Sequence, residues 1–168
     1  MDIRITQFSD SKSIDAKIIK SAGLALPTFG GWRFNFEKHA RNAAFQTYVL
    51  VTEETPYAIE GCLIFRLKDE MEPYMAYIEI APHNKGENRR FDRVAGCLIA
   101  FASRLSFIHG KDHFKGWLAF DVLEEREEDE VKLMTVYCQK YGALKWSGTT
   151  MVISPEAGEK LIFKFLEQ

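Results

Sequence analysis

The fold is decided by residues 77–98, which begin as Tyr77-Ile78-Glu79-Ile80-Ala81-Pro82, cross a polar loop, and continue as Arg89-Arg90-Phe91-Asp92-Arg93-Val94-Ala95-Gly96-Cys97-Leu98. The first part has the pattern of a strand, and the second part begins a helix. Free N–H groups at a helix N-terminus, together with the helix dipole, favour an anion such as phosphate. The three arginines add positive charge, and Ala95 and Gly96 are small enough to let an anion approach the backbone. The same residues would also suit a solvated basic loop followed by a closely packed helix.

The segments on either side alternate between strand and helix patterns, without an internal repeat or a low-complexity linker. The predicted strands are 1–8, 46–53, 58–68, 74–81, 117–122, 143–147 and 149–153. The predicted helices are 13–24, where Ile14, Ile18 and Ile19 have helical spacing, then 35–45, 91–108, 128–141 and a last helix after Pro155. This order predicts a single domain over residues 1–168. Its class is α/β or α+β, with one mixed sheet flanked by helices on both faces.

Composition excludes several classes of protein. The chain has 168 residues, with 22 Lys+Arg against 24 Asp+Glu and a formal net charge of -2. This balance argues against a nucleic-acid-binding protein, which needs a basic excess to neutralise phosphates. A hydrophobic content of 46% excludes a disordered chain, because that much apolar surface offsets the entropy of ordering.

Cysteine spacing and hydropathy predict the compartment. Cys62, Cys97 and Cys138 lie far apart, which argues against a disulfide framework and against a zinc site, so no metal is expected. No stretch approaches the roughly 18 apolar residues of a membrane span, and the first residues lack a leader pattern. We therefore expect a cytoplasmic protein with no membrane partner.

Residues 46–154 resemble the GNAT superfamily of acyl-CoA-dependent N-acyltransferases in three features. Ile78-Glu79-Ile80-Ala81-Pro82 is similar to the family's central strand, which splays from its neighbour and offers backbone groups to the pantetheine arm. Arg90-Phe91-Asp92-Arg93-Val94-Ala95 resembles the pyrophosphate motif Q/R-x-x-G-x-G/A, with Arg93 in place of the glycine. Val136-Tyr137-Cys138-Gln139-Lys140-Tyr141-Gly142-Ala143 is similar to the segment L-Y-x-K-x-G-F. The resemblance implies a mostly antiparallel central sheet of about six to seven strands.

The resemblance also implies the residues of the site. Acetyl-CoA would contact Ile80, Arg90, Arg93, Val94, Ala95 and Gly96. A neutral amine would attack the thioester directly, a backbone N–H near Ile80 would hold the oxyanion, and Tyr137 would donate to the departing thiolate. Glu79 is the candidate general base, because a carboxylate on an apolar strand is costly unless it faces a cleft or a partner. The alternatives are a core tyrosine and a carboxylate that only binds a backbone group or an arginine.

Two functions are open at this point. The first is an N-acetyltransferase that moves an acetyl group from acetyl-CoA to a primary amine of an unknown acceptor, with room for a homodimer. The second is a catalytically weak acyl-CoA-binding or interaction module, which Arg93 in the motif favours. The aromatic loop 28–34 either covers a ligand or packs two elements onto the sheet. The acidic run 124–130 either starts a solvated helix or attracts a cationic acceptor.

Overall fold

The computed structural model describes residues 1–168 and contains nine strands and four helices. Strands β1 to β9 are Asp2–Gln7, Ser13–Lys20, Gln46–Thr52, Ile59–Lys68, Glu72–Ile80, Phe91–Asp92, Leu118–Asp121, Leu144–Ser147 and Thr150–Ile153. Helices α1 to α4 are Phe36–Ala40, Val94–His109, Glu127–Tyr141 and Pro155–Leu166. No helix is long and apolar enough to cross a membrane.

All nine strands form one sheet in the order β6-β1-β2-β3-β4-β5-β7-β9-β8. Every neighbouring pair is antiparallel except β5 and β7, which run parallel and share a single pairing, Tyr74 with Ala119. Beyond that pairing the two strands part, because β5 continues to Ile80 without β7 beside it. The sheet is therefore open along one edge of β5, and this opening positions the site described below.

The two faces of the sheet carry separate apolar cores. In β3, Tyr48 and Leu50 belong to a cluster of 29 buried residues, whereas Val49 and Val51 belong to a cluster of five on the other face. Such alternation is the period of two that a strand imposes. Helices α2 and α4 contribute to the large cluster, and α3 packs against it. The small cluster is closed by Phe36 of α1 and by partly buried apolar residues of the segment before it: Leu24, Leu26, Trp32 and Phe34.

The predicted helix at 13–24 is wrong, because residues 13–20 form β2. Ile14, Ala16 and Ile18 are buried, while the residues between them, Asp15 and Lys17, are exposed. Ile14 and Ile18 have the spacing of one helical turn, but the same two positions also fit a strand with Ala16 between them. Pairing with β1 and β3 on both sides decides for the strand.

The boundaries of two other helices differ from the prediction, but the fold class agrees with it. The helix expected at 35–45 is the five-residue α1, and the helix expected from 91 begins at Val94, because Phe91 and Asp92 pair with β1 as β6. With β2 and β6 added, the sheet has nine strands rather than six to seven. The predicted mixed, mostly antiparallel sheet flanked by helices is confirmed.

Helices α2 and α4 meet closely at Gly96. A methyl group added at Gly96 would lie 2.2 Å from Cε1 and 2.4 Å from Cζ of the Phe165 ring. Contacts that short cannot be accommodated without moving the ring or the helix. The small residue at this position is therefore required by helix packing.

We expect Gly96→Ala to lower the free energy of unfolding by about 1–3 kcal/mol, because it overpacks the α2–α4 contact. Chemical denaturation measures the change. The variant Phe165→Leu lacks the two nearest ring atoms. In that background, Gly96→Ala should lower the free energy of unfolding by less. Equal costs in both backgrounds would contradict the packing explanation.

Candidate functional site

Three adjoining cavities lie along the open edge of β5, and because each shares lining residues with the next we describe them together as one groove. The first, of ≈ 150 Å³, lies between β5 and β7; the second, of ≈ 390 Å³, lies between the end of β5 and α3; the third, of ≈ 600 Å³, lies at the start of α2. Tyr137 lines the first two, and Ile80, Ala95 and Tyr141 line the last two. The groove thus runs from the point where β5 and β7 part to the N-terminus of α2.

The backbone of β5 offers free donors to this groove. Ala81 donates its N–H to the Glu60 carbonyl at 2.9 Å, toward β4. Because successive N–H groups of a strand point to opposite sides, the N–H groups of Ile80 and Ile78 point toward β7. Strand β7 has already parted from β5 there, so these donors face the groove.

The N-terminus of α2 is uncapped and lines the third cavity. Its first backbone bond runs from the N–H of Cys97 to the carbonyl of Arg93 at 2.9 Å, and no side chain caps the helix. The N–H groups of Val94, Ala95 and Gly96 precede that bond and have no acceptor within the helix. Three free donors at the positive end of a 16-residue helix form a site for an anion.

Tyr137 lies where the first two cavities meet. Its ring packs on Phe120, with centroids 4.7 Å apart, and one edge lines the groove. Burial, with the negative charge of Glu124 nearby, raises the pKa of Tyr137 to about 12. The phenol is therefore neutral at physiological pH and able to donate a proton or a hydrogen bond.

No model of a known protein family matches the sequence, and no curated protein matches it. Solved structures match over most of the chain. A complex of AtaT and AtaR with DNA is 17% identical, covers 88% of this chain and 98% of the other, and has a TM-score of 0.61. A KacTA complex with DNA is 11% identical, with 89% and 99% covered and a TM-score of 0.60. A GNAT family acetyltransferase from Elizabethkingia anophelis with acetyl-CoA bound is 13% identical, with 82% and 94% covered and a TM-score of 0.51.

The chain has the GNAT fold. Arg93, the residue predicted to replace the glycine of the pyrophosphate motif, has a φ of 75°, in the left-handed region that glycine adopts without cost. The Arg93 side chain lies against α4 at the wall of the third cavity: it donates to the Lys164 carbonyl at 2.8 Å, and its guanidinium carbon lies 5.0 Å from the centre of the Phe165 ring. The backbone at Arg93 therefore has the conformation that a glycine would adopt here, and the guanidinium is bound by the last turn of α4.

The other predicted cofactor residues are divided between groove and surface. Ile80, Arg93, Val94, Ala95 and Gly96 line the third cavity. Arg90 does not; it is exposed, and its guanidinium lies over the Phe91 ring. Arg89 lines the cavity but is held by Asp92 and by the carbonyl of Gly86.

Two lysines that the sequence analysis did not select also line the third cavity. Lys140 and Lys164 have no ion-pair partner and reach the cavity from α3 and α4. The available signal is the spacing of Tyr137, Lys140 and Tyr141, which places all three on one face of α3. No spacing in the sequence indicates that Lys164 lies at the cavity, because its place there depends on how α4 packs against the rest of the fold.

The long loop between β5 and α2 is anchored by a buried polar cluster. The Asn84 amide donates to the Glu60 carboxylate at 2.8 Å and to the Glu60 carbonyl at 3.1 Å, and its oxygen accepts the N–H of Phe91. His83 binds the same Glu60 carboxylate through Nε2. Glu60 and Asn84 thereby fix the loop that leads into α2.

Glu79 is buried, and its carboxylate is already occupied. It accepts the N–H of Arg33 at 2.8–2.9 Å and the N–H of Phe34 at 3.0 Å, and it pairs with Lys85 Nζ at 2.7 Å. These bonds hold the aromatic loop 28–34 against the end of β5. Trp32 and Phe34 pack on the small core, while Arg33 and Phe34 also line the groove, so the loop both packs the sheet and covers the groove.

The Arg33 side chain crosses the groove to the segment between β7 and α3. Its guanidinium donates to Glu124 Oε1 at 2.8 Å and to the Leu123 carbonyl at 2.7 Å. Both Arg33 and Glu124 line the first two cavities, on either side of Tyr137. Sequence analysis missed this pair, because the two residues are 91 positions apart.

The left-handed backbone at Arg93 is testable with two variants that both remove the side chain. We expect the free energy of unfolding of Arg93→Gly to exceed that of Arg93→Ala by about 1 kcal/mol, because the left-handed conformation is strained for alanine and not for glycine. Urea denaturation of both variants measures the difference. Equal stabilities would mean that the backbone at this position relaxes to an ordinary conformation.

Proposed function

We propose that the chain is an N-acetyltransferase that transfers an acetyl group from acetyl-CoA to a primary amine of its acceptor. The observation that carries this proposal is the continuity of one groove. It joins an anion site at α2, free strand donors at Ile80 and a neutral phenol at Tyr137. A donor with an anionic end, a long polar arm and a reactive end needs these three features in this order.

The residues present fit acetyl-CoA. The pyrophosphate would bind the N–H groups of Val94, Ala95 and Gly96, with Lys140 and Lys164 adding positive charge. The pantetheine arm would pair with the free edge of β5. Its reactive end would then lie beside Tyr137. Solved structures of the same fold support this assignment, since several contain acetyl-CoA, among them AtaTR and the Elizabethkingia anophelis acetyltransferase.

Acetyl-CoA supplies an acetyl group on a thioester, and the chain's own groups assist the transfer. The Ile80 N–H would donate to the oxygen that becomes negative during attack. The Tyr137 phenol would donate to the departing sulfur. The role of Glu79 as general base stays a prediction, and its three donors favour an additional part in holding the loop.

A binding module without turnover is the second candidate. The Arg93 side chain no longer favours it, but the Arg33–Glu124 bridge does, because it spans the groove beside Tyr137. Acetyl-CoA binding without thiol release across a panel of primary amines would support the module. The AtaT and KacTA structures contain DNA, so the expected lack of a nucleic-acid partner also stays a prediction, as does the homodimer.

Calorimetry with acetyl-CoA tests the proposed donor site. We expect the double variant Lys140→Ala/Lys164→Ala to bind acetyl-CoA about tenfold more weakly, because each lysine contributes a charge next to the phosphates. Lys132→Ala removes an exposed lysine from the same helix α3, outside the cavity, and should leave the affinity unchanged. Absence of any acetyl-CoA binding by the unaltered chain would overturn the proposed function.

Thiol release with a primary amine tests Tyr137. We expect Tyr137→Phe to lower kcat by about 10²-fold or more, with acetyl-CoA affinity within twofold, because only the proton donor is lost. The pKa of Tyr137 is raised to about 12, so its donor is present at neutral pH and is lost only as pH rises through that value. The pH profile below pH 10 should therefore show no loss that belongs to this group. An unchanged kcat would remove Tyr137 from the mechanism.

A further inference from the structure

The first cavity is the narrow end of the groove, beyond Tyr137 as seen from α2. Its volume is ≈ 150 Å³, and most of its wall is apolar. The apolar wall includes Met75, Ala76, Ile78, Phe120, Val122 and Leu133. If the donor fills the two larger cavities, as the proposed function requires, this cavity is left for the acceptor. Its width and wall suit a short unbranched hydrocarbon chain.

Three carboxylates lie at or beside this end of the groove, and two of them are fully used. Asp121 accepts hydrogen bonds from the hydroxyls of Tyr74, Thr149 and Thr150. Glu79 accepts two backbone N–H groups and pairs with Lys85. Neither can bind a further cation without losing several bonds in a partly buried place.

Glu124 is different, because its side-chain carboxylate binds only the Arg33 guanidinium. The Arg33 side chain is 46% exposed to solvent, and the Glu124 side chain is 25% exposed. An ion pair of this exposure contributes little net stability, so a competing cation can displace it. The Leu123 carbonyl, which accepts the second Arg33 bond, offers a neighbouring acceptor for the same cation.

Arg33 therefore occupies a place that is built for a cation. Two acceptors from the segment after β7 converge there at 2.7–2.8 Å, next to the apolar cavity and beside Tyr137. We propose that the acceptor is a primary ammonium on a short apolar chain, and that its ammonium group displaces Arg33 and binds Glu124 and the Leu123 carbonyl. Glu124 then acts as the proton acceptor for the transfer.

The step balances with the groups at this end of the groove. The ammonium gives one proton to the Glu124 carboxylate, which releases it to solvent. The amine nitrogen forms the C–N bond to the acetyl carbon, and the C–S bond breaks. The sulfur takes the phenol proton of Tyr137, and the second nitrogen proton restores the phenol. Glu124 and Tyr137 line the same two cavities, so both can reach the reacting nitrogen and sulfur.

Titration of the ¹⁵N-labelled chain with n-butylammonium chloride tests the assignment without requiring turnover. We expect the backbone signals of residues 123–125 and the Arg33 Nε signal to shift. Glu124→Gln should weaken this binding by about tenfold or more, because the hydrogen bond loses its charged acceptor. Glu125→Gln makes the same change at the next, exposed residue and should have no effect. Arg33→Ala should strengthen the binding, because the competing cation is gone.

A second arm uses Nα-acetyl-lysinamide, which carries the same ammonium on a peptide unit. Binding of n-butylammonium alone would identify a small free amine, and binding of both would identify a side chain as the acceptor group. Equal binding by the Glu124→Gln variant and the unaltered chain, or shifts confined to other residues, would overturn the inference. Calorimetry with acetyl-CoA on the same samples separates the two proposals. A chain that binds acetyl-CoA but not n-butylammonium loses only the acceptor assignment.

Discussion

The site depends on the place where β5 and β7 part after the single pairing of Tyr74 with Ala119. Within a sheet, the backbone N–H groups of a strand normally donate to the carbonyl groups of the neighbouring strands. Here the second half of β5 keeps its donors on one side, and the gap becomes a groove instead of a core. The apolar residues of α3 close the gap from one face, and the loop 28–34 closes it from the other.

Holding such a gap open requires polar groups in places where burial is costly. Glu60 and Asn84 fix the loop before α2, and Glu79 fixes the loop over the groove. Glu79 and Asn84 bind backbone groups, and the Glu60 carboxylate binds the Asn84 amide and His83 through one oxygen, which offsets part of the cost of taking these groups out of water. The three buried polar residues with amide or carboxylate side chains, Glu60, Glu79 and Asn84, therefore all hold segments that border the site.

Sequence reasoning predicted the elements whose pattern is local and missed those whose geometry is set at long range. The strand–loop–helix junction at 77–98 could be predicted, because its strand, its basic loop and the start of its helix follow one another directly in the sequence. The segment 13–20 was not, because Ile14 and Ile18 fit both a helix and a strand, and only pairing with β1 and β3 decides between them. The Arg33–Glu124 bridge and the approach of Lys164 to the third cavity depend on how distant elements pack, which no spacing reveals.

At Arg93 the backbone has an angle that favours glycine, yet the side chain is an arginine. Its left-handed conformation is compatible with arginine because the guanidinium is held outside the loop, by a carbonyl and a ring of α4. The last turn of α4 thereby supports the anion site, although Arg93 and Lys164 are 71 positions apart in the sequence. Among related chains, the residue at this position and the end of the C-terminal helix should therefore change together, with glycine wherever that helix offers no such support.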